Sequence, residues 1–226
     1  MLVTERATFA PVEGAEELFT SRFLEFLVAL HDRFTPRVHA LRRKRAEVLE
    51  RALKQGVLPG FLPPSEATTG DWQVPPVPDE LRTPGIEISG PASVTGMFIN
   101  ALNPGPEGTR AEADLDDDED SAGHRLVDTV TAARNRLAAV HRTLHYHDEA
   151  RGKEYSIQPG ELPFFMHRER GLHLDEPDVT VDGDPVSAAV LGTALTLFYA
   201  GQAQIERGQG VYFYLPKLES AEEAGF

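Results

Sequence analysis

Apolar residues along the first 55 positions recur at helical spacing. Leu18, Phe19, Phe23, Phe26, Leu27 and Leu30 fall three or four apart and predict one amphipathic helix. Pro36 suits the first turn of a second helix, where its missing N–H costs nothing. Val38, Leu41, Val48, Leu49 and Ala52 then supply that helix with its apolar face, and Gly56 ends the pair. From Val57 to Pro84 frequent prolines exclude regular helix, and scattered apolar residues with the lone Trp72 predict a segment packed along a surface. Ile86–Gly90 alternates like a short strand, and Met97–Leu102 reads as another short element.

The pattern changes at Asn103. A Pro/Gly loop is followed by eight acids between Glu107 and Asp120, opposed only by Arg110. Such a stretch makes a poor buried strand, because unpaired buried carboxylates are costly. A helix is predicted from about Ser121 to Thr143, with Leu126, Val130, Ala133, Leu137 and Val140 on one side. Leu144–His147 and Glu154–Ile157 read as a hairpin, Phe164–Arg168 as a strand, and Val179–Val186 as a second hairpin around Asp182-Gly183. Val186–Arg207 is a long apolar helix closed by the Gly208 stop, and Tyr212–Leu215 is a buried strand. No internal repeat is evident. The later half thus alternates strands with helices, which predicts parallel α/β architecture with functional residues where strands end. Asp118–Ser121, Arg168 and Lys217 occupy such ends, a set suited to an anionic substrate.

Composition narrows the class. The 226 residues can bury a substantial core, and the formal charge of -14 argues against nucleic acid or an anionic membrane as the main partner. There is no cysteine, which excludes disulfides and thiolate metal sites and fits a cytoplasmic protein. Met1–Ala10 carries Glu5 and Arg6 and lacks the apolar core of a secretory signal. The longest apolar run, Val186–Ala200, is shorter than the ~20 residues of a membrane span.

Several segments resemble malate synthases. Arg168-Glu-Arg-Gly-Leu-His-Leu is similar to the motif in which an arginine ends a barrel strand, followed by Arg-Gly and then His-Leu. Gly208-Gln-Gly-Val-Tyr-Phe-Tyr-Leu-Pro-Lys-Leu-Glu-Ser is similar to a later strand region of that barrel. Ile86-Glu-Ile-Ser-Gly-Pro, Ile99-Asn-Ala-Leu-Asn, Glu119-Asp-Ser, Gly60-Phe-Leu-Pro and Gly70-Asp-Trp also match in order, so the resemblance covers most of the chain. It implies an incomplete TIM-type (β/α) barrel preceded by a helical segment: 1–56 helical, 57–85 a proline-rich packed linker, and 86–226 the first part of the barrel with hairpin insertions.

The same resemblance implies condensation of acetyl-CoA with glyoxylate, then thioester hydrolysis to malate and CoA, as in the glyoxylate cycle, with Mg²⁺. Arg168 is the matching catalytic residue, suited to a developing enolate oxygen or a carboxylate. Its competing reading is a structural ion pair with Glu119 or Asp120. Glu119 and Asp120 are expected either to support Arg168 or metal-bound waters, or to lie in a solvated acidic loop. Ser121 is either the N-cap of the next helix or a contact to acetyl-CoA. Lys217 either lines the barrel mouth or pairs with Glu219, and His173 shapes the loop after Arg168. Arg42–Arg45 is a solvated helix face or a site for CoA phosphates or a partner, and His141, His145 and His147 are exposed rather than a metal cluster. The family's metal-binding glutamate and aspartate, and its aspartate base, have no counterparts in this sequence. Direct Mg²⁺ ligands are therefore not expected, and two alternatives stand beside the enzyme. One is a non-catalytic homologue acting as a binding or assembly module, by self-association or with a complementing polypeptide. The other is an acyl-CoA lyase of the same barrel superfamily.

Overall fold

The computed structural model describes residues 3–82 and 85–226. A helical turn α1 (Val3–Arg6), a short strand β1 (Ala7–Phe9) and a second turn α2 (Ala15–Leu18) precede the 35-residue helix α3 (Ser21–Gln55). The Thr20 side chain caps α3 by accepting from the Phe23 N–H at 3.3 Å, and Gly56, at φ 67°, closes it in the left-handed conformation that glycine tolerates. Two helices were expected here, the second beginning at Pro36. The structure has one, running through Pro36. The proline deprives the Asp32 carbonyl of its intrahelical donor. The buried stripe Phe23, Leu24, Leu27, Val28, His31, Thr35 and Val38 nevertheless keeps its helical phase across it.

The segment after α3 corrects a second expectation. It holds only a turn, α4 (Glu66–Thr69), and a 3₁₀ turn at Asp79–Arg82. Phe61 is fully exposed, and Leu58, Leu62, Trp72 and Val74 are more exposed than buried. The prolines hold the chain extended, and its side-chain anchors are few: Trp72 Nε1 donates to the nearby Ala67 carbonyl, and Glu80 accepts from the Tyr212 hydroxyl. Thr83 and Pro84, at the end of the expected linker, lie outside the described residues.

The remaining elements are β2 (Glu87–Gly90), α5 (Thr95–Leu102), β3 (Ala113–Asp117), α6 (Leu126–Val140), β4 (His145–Asp148), β5 (Lys153–Ser156), β6 (Phe164–Arg168), β7 (Asp175–Val181), β8 (Asp184–Ser187), α7 (Ala188–Leu195), α8 (Gln202–Glu206), β9 (Tyr212–Phe213) and α9 (Ala221–Ala224). A π-helical stretch, Thr196–Gly201, joins α7 to α8. Strands β2, β3, β6 and β9 form a four-stranded, wholly parallel sheet in that order. Among the described residues it stays open rather than closing into a barrel. Antiparallel β1-β7-β8 forms a second sheet, and β4–β5 is an isolated hairpin.

Helix α6 lies between two apolar clusters. One joins Phe19, which follows α2, with Phe23 and Leu27 of α3, Leu126 and Val130 of α6, and Leu191 and Leu195 of α7. The other packs Ile99, Leu102, Ala132, Ala139 and Phe165 beneath the parallel sheet. Each large side chain fully buried in these clusters contributes about 1.5–3 kcal/mol. Helix α6 starts at Leu126 rather than Ser121, where the Asp128 carboxylate in its first turn accepts from the Arg125 N–H at 3.3 Å and from the Arg125 guanidinium at 2.9 and 3.0 Å. Strand β9 is shorter and more exposed than expected, with Tyr214 and Leu215 about half exposed. The acidic stretch is the largest departure. It forms β3, a central strand buried at every position. No helix among the described residues is long and apolar enough to cross a membrane.

Candidate functional site

Parallel strands end on one side of their sheet, and β3 and β6 end together: Asp117 is the register partner of Arg168. Arg168 Nε donates to Asp117 Oδ1 at 2.8 Å and Nη2 to Oδ2 at 2.6 Å, a planar fork matched to the carboxylate. Asp117 also accepts from the Ser121 hydroxyl at 2.7 Å and from the Glu119 and Asp120 N–H groups at 3.0 Å each. Burial pushes this carboxyl up. The Arg168 fork, Ser121 and the two backbone donors outweigh burial and hold it at about 2. Asp117 is thus a fixed anion, wholly buried, while the Arg168 side chain keeps 18% exposure. The guanidinium carbon stands 5.5 Å from the Tyr214 ring centroid, and Arg168 Nη1 has no hydrogen-bond partner among the described residues.

The residues expected around Arg168 separate into two groups. Asp120 lies 3.3 Å from Arg168 Nη2 and accepts from Lys217 Nζ at 2.8 and 3.0 Å, so Lys217 pairs with Asp120 rather than Glu219. Glu219 instead faces Arg45 at 3.4 Å. Ser121 reaches Asp117 and does not cap a helix. Glu119 is buried and turned away from Arg168. Its Oε2 accepts from the Gly171 N–H at 2.7 Å, and its Oε1 lies 3.7 Å from His173 Nε2. Glu119 and His173 therefore brace the loop after Arg168. Neither Glu119 nor Asp120 is the main partner of Arg168; that is Asp117, which lies outside the Glu119-Asp-Ser motif. Its signal was positional: the last residue of a strand whose neighbour ends in Arg168.

A buried charged layer sits on the helix side of the same strand ends. Arg136 of α6 contacts Asp116 at 2.6 Å, Asp118 at 2.9 Å and Glu169 at 3.5 Å. His167 Nδ1 bonds Asp116 Oδ2 at 2.6 Å and Nε2 meets Gln204 Oε1 at 3.1 Å, while Thr196 donates to Glu169 at 2.5 Å. Burial raises Asp118 to about 7, with Glu169 and Asp116 adding to the rise and Arg136 opposing it. Burial would lower His167, but the Asp116 carboxylate overrides it and holds the imidazole above its ordinary range. Burial, and after it the neighbouring Asp116 carboxylate, push Asp114 well above the usual carboxylate range. These partners are why an acidic sequence makes a buried strand.

The basic patch on α3 is not simply solvated. Arg42 binds the Leu172 and Leu174 carbonyls and Asp175, Arg45 binds Glu223 and the Lys217 carbonyl, and Lys44 meets Glu222. The three histidines take separate partners: His141 with Arg207, His145 with the Thr143 carbonyl, His147 with Glu154. Among the described residues no three His, Asp or Glu side chains are grouped to hold a metal ion. The carboxylates near Arg168 already face Arg168, Lys217 or backbone N–H groups, so this donor set does not fit Mg²⁺. What the site offers is a guanidinium fixed by Asp117 and only partly exposed, with Nη1 unpartnered among the described residues and Lys217 close by, an arrangement chemically suited to an oxyanion.

Two family models match the chain: "Malate synthase, N-terminal domain" over residues 10–67 and "Malate synthase, TIM barrel domain" over residues 164–226. Among curated relatives, the malate synthase of Streptomyces clavuligerus is 37% identical over 221 residues, covering 96% of this chain and 40% of that protein. The malate synthase of Myxococcus xanthus (strain DK1622) is 37% identical over 209 residues, 92% of this chain and 37% of that protein. Malate synthase A of Escherichia coli (strain K12) is 32% identical over 226 residues, 99% of this chain and 41% of that protein. The chain spans about two fifths of the length of these relatives.

Proposed function

Because this chain belongs to the malate synthase family, we propose that Arg168 serves a malate synthase-type condensation of acetyl-CoA with glyoxylate, giving malate and CoA. The observation that carries the reading is the guanidinium locked by Asp117 with Nη1 left open. Its free edge binds the glyoxylate carboxylate or the enolate oxygen formed when the acetyl methyl group loses a proton. Asp117 is not the base: it is held at about 2, and both its oxygens already accept hydrogen bonds from Arg168, Ser121 and backbone N–H groups. Its role is to aim Arg168. Lys217 adds positive charge at the mouth and orients Asp120, while Ser121 fixes Asp117 rather than touching acetyl-CoA. Glu119 and His173 shape the adjoining loop. No step here runs through Mg²⁺, and neither the base nor a metal ligand is assigned to this chain. The helical (1–56), linker (57–85) and barrel (86–226) divisions, and a cytoplasmic site of action in the glyoxylate cycle, belong to the same reading.

Glyoxylate-dependent release of CoA from acetyl-CoA with Mg²⁺ tests it, alongside glyoxylate binding followed by NMR. Arg168→Ala is expected to abolish binding and to lower any turnover about 10²–10³-fold, the cost of losing one oxyanion donor. Glyoxylate binding that survives Arg168→Ala overturns the assignment.

A second reading, an assembly module, is favoured by the open sheet. Among the described residues strand β9 pairs only with β6, through Met166 and His167, and Tyr214 and Leu215 beyond it are exposed. Sedimentation of the purified chain decides: a monomer at all concentrations argues against self-association.

A further inference from the structure

We infer that Arg136, on helix α6 and remote from the open face, is the positioning residue that holds Asp117 and Arg168 in register. The inference rests on the reading of that pair as the functional centre, but concerns its geometry, which is measurable without turnover.

Asp117 is flanked by Asp116 and Asp118, and both carboxylates contact Arg136, at 2.6 and 2.9 Å. Arg168 is flanked by His167 and Glu169. Glu169 lies 3.5 Å from Arg136, and His167 joins through Asp116, whose Oδ2 it bonds at 2.6 Å. Side chains alternate across a strand. The four flanking residues therefore face the helix layer while Asp117 and Arg168 face the open side. One buried guanidinium thus gathers the ends of both strands from behind, at the residues on either side of the working pair. Arg136 is 2% exposed, and Asp116 is wholly buried. The neighbours facing this cluster are Thr196 from the π-helical stretch and Gln204 from α8, both neutral, with Asp114 along β3. Replacing Arg136 leaves Asp116, Asp118 and Glu169 with no cation but His167, and their repulsion acts directly on the two strand ends.

The geometry also explains why an apolar layer would not serve as well. Apolar contacts tolerate small slips of one strand past another. A guanidinium that donates from Nε to Asp116 at 2.8 Å, while its Nη atoms lie 2.9 Å from Asp118 and 3.5 Å from Glu169, spans both strand ends, so a slip of either draws a buried carboxylate away from its countercharge.

The test reads the Arg168 Nε–H signal by ¹H–¹⁵N NMR, assigned by its disappearance in Arg168→Lys. In the unaltered protein it is expected apart from exposed arginines and slow to exchange, being bonded to Asp117 at 2.8 Å. Arg136→Lys keeps the charge but not the fork, and is expected to move the signal toward the exposed position with faster exchange. Val130→Ala, a cavity in the core cluster on the same helix, serves as control for mere destabilisation. An unmoved signal in folded Arg136→Lys overturns the inference, as does an equal move in Val130→Ala. If Arg136→Lys does not fold, the unaltered protein decides. Titrating Asp118, near pH 7, changes the load on Arg136 and must move the Arg168 signal with the same midpoint; a flat response overturns the inference. Glyoxylate binding is not read, so failure here leaves the proposed function standing.

Discussion

Asp117 and Arg168 meet as register partners at the ends of adjacent parallel strands, 51 residues apart in sequence, joined by bonds of 2.8 and 2.6 Å. The pair holds the Arg168 guanidinium rigid: Asp117 takes Nε and Nη2 and leaves Nη1 without a hydrogen-bond partner among the described residues. The pairing costs Arg168 none of its charge, since the guanidinium stays protonated across the working range.

Asp117→Asn should therefore release Arg168 without removing it. Hydrogen bonds to charged groups contribute about 1.5–3 kcal/mol each, so a loss of about 2–3 kcal/mol in unfolding free energy is expected near pH 7. The sign with pH follows from the depressed carboxyl. Its folded value of about 2 lies below the ordinary 3.8, so its contribution is present above about pH 4 and fades as pH falls toward 2. Denaturant curves at pH 7 and pH 3 should show the gap between the two proteins narrowing in acid. A gap that is constant with pH would deny that the charge matters. Glyoxylate binding should weaken in Asp117→Asn although Arg168 is intact.

The opposite sign applies on the helix side. Asp118 titrates at about 7 when folded against an ordinary value of 3.8, so the folded chain holds a proton that the unfolded chain has released. Stability therefore falls as pH rises from about 4 to about 7 and is lowest, on this account, above that. His167, raised above its ordinary range, acts in the same direction: its contribution is complete below 6.5 and is lost as pH climbs through the folded value. Asp118→Asn removes the titration while keeping the shape. Its melting temperature relative to the unaltered protein should rise between pH 6 and pH 9. Parallel melting curves across that range would mean Asp118 is already ionised at pH 6.

Much of this architecture was legible in the sequence, and the failures share a cause. Strand Phe164–Arg168, the Asp182-Gly183 hairpin and the long apolar helix after it were readable because period and turn chemistry are local signals. The buried acidic strand was not, because its partners lie elsewhere. Arg136 stands 20 residues beyond Asp116, and His167 stands 51 beyond it. Without them, Asp114–Asp118 reads only as a cost. Arg168 was visible through a motif; Asp117 needed the register of β3 against β6, which no single segment contains. Pro36 misled because its local preference for a helix start was outweighed by a stripe buried on both sides of it.

The basic patch on α3 leads to a different kind of expectation. Arg45 Nε meets Glu223 at 2.5 Å and its Nη2 donates to the Lys217 carbonyl at 2.6 Å, so α3 holds the segment that carries Lys217. Lys217 itself sits at φ 55°, an uncommon conformation for a side-chain-bearing residue, and reaches Asp120 beside Arg168. The long helix therefore places a charge at the site across a large separation in sequence. Arg45→Ala should free residues 217–226, leaving the Glu223 carboxylate without its guanidinium, at a cost of about 1–3 kcal/mol. Hydrogen exchange should rise over 217–226 while β3 and β6 stay protected, and the Lys217–Asp120 pair should loosen with the segment. Lys217→Ala, by contrast, removes one exposed ion pair that contributes little to stability and should leave exchange over 219–226 unchanged. Exchange that rises in Lys217→Ala but not in Arg45→Ala would show that Lys217, not Arg45, is the anchor.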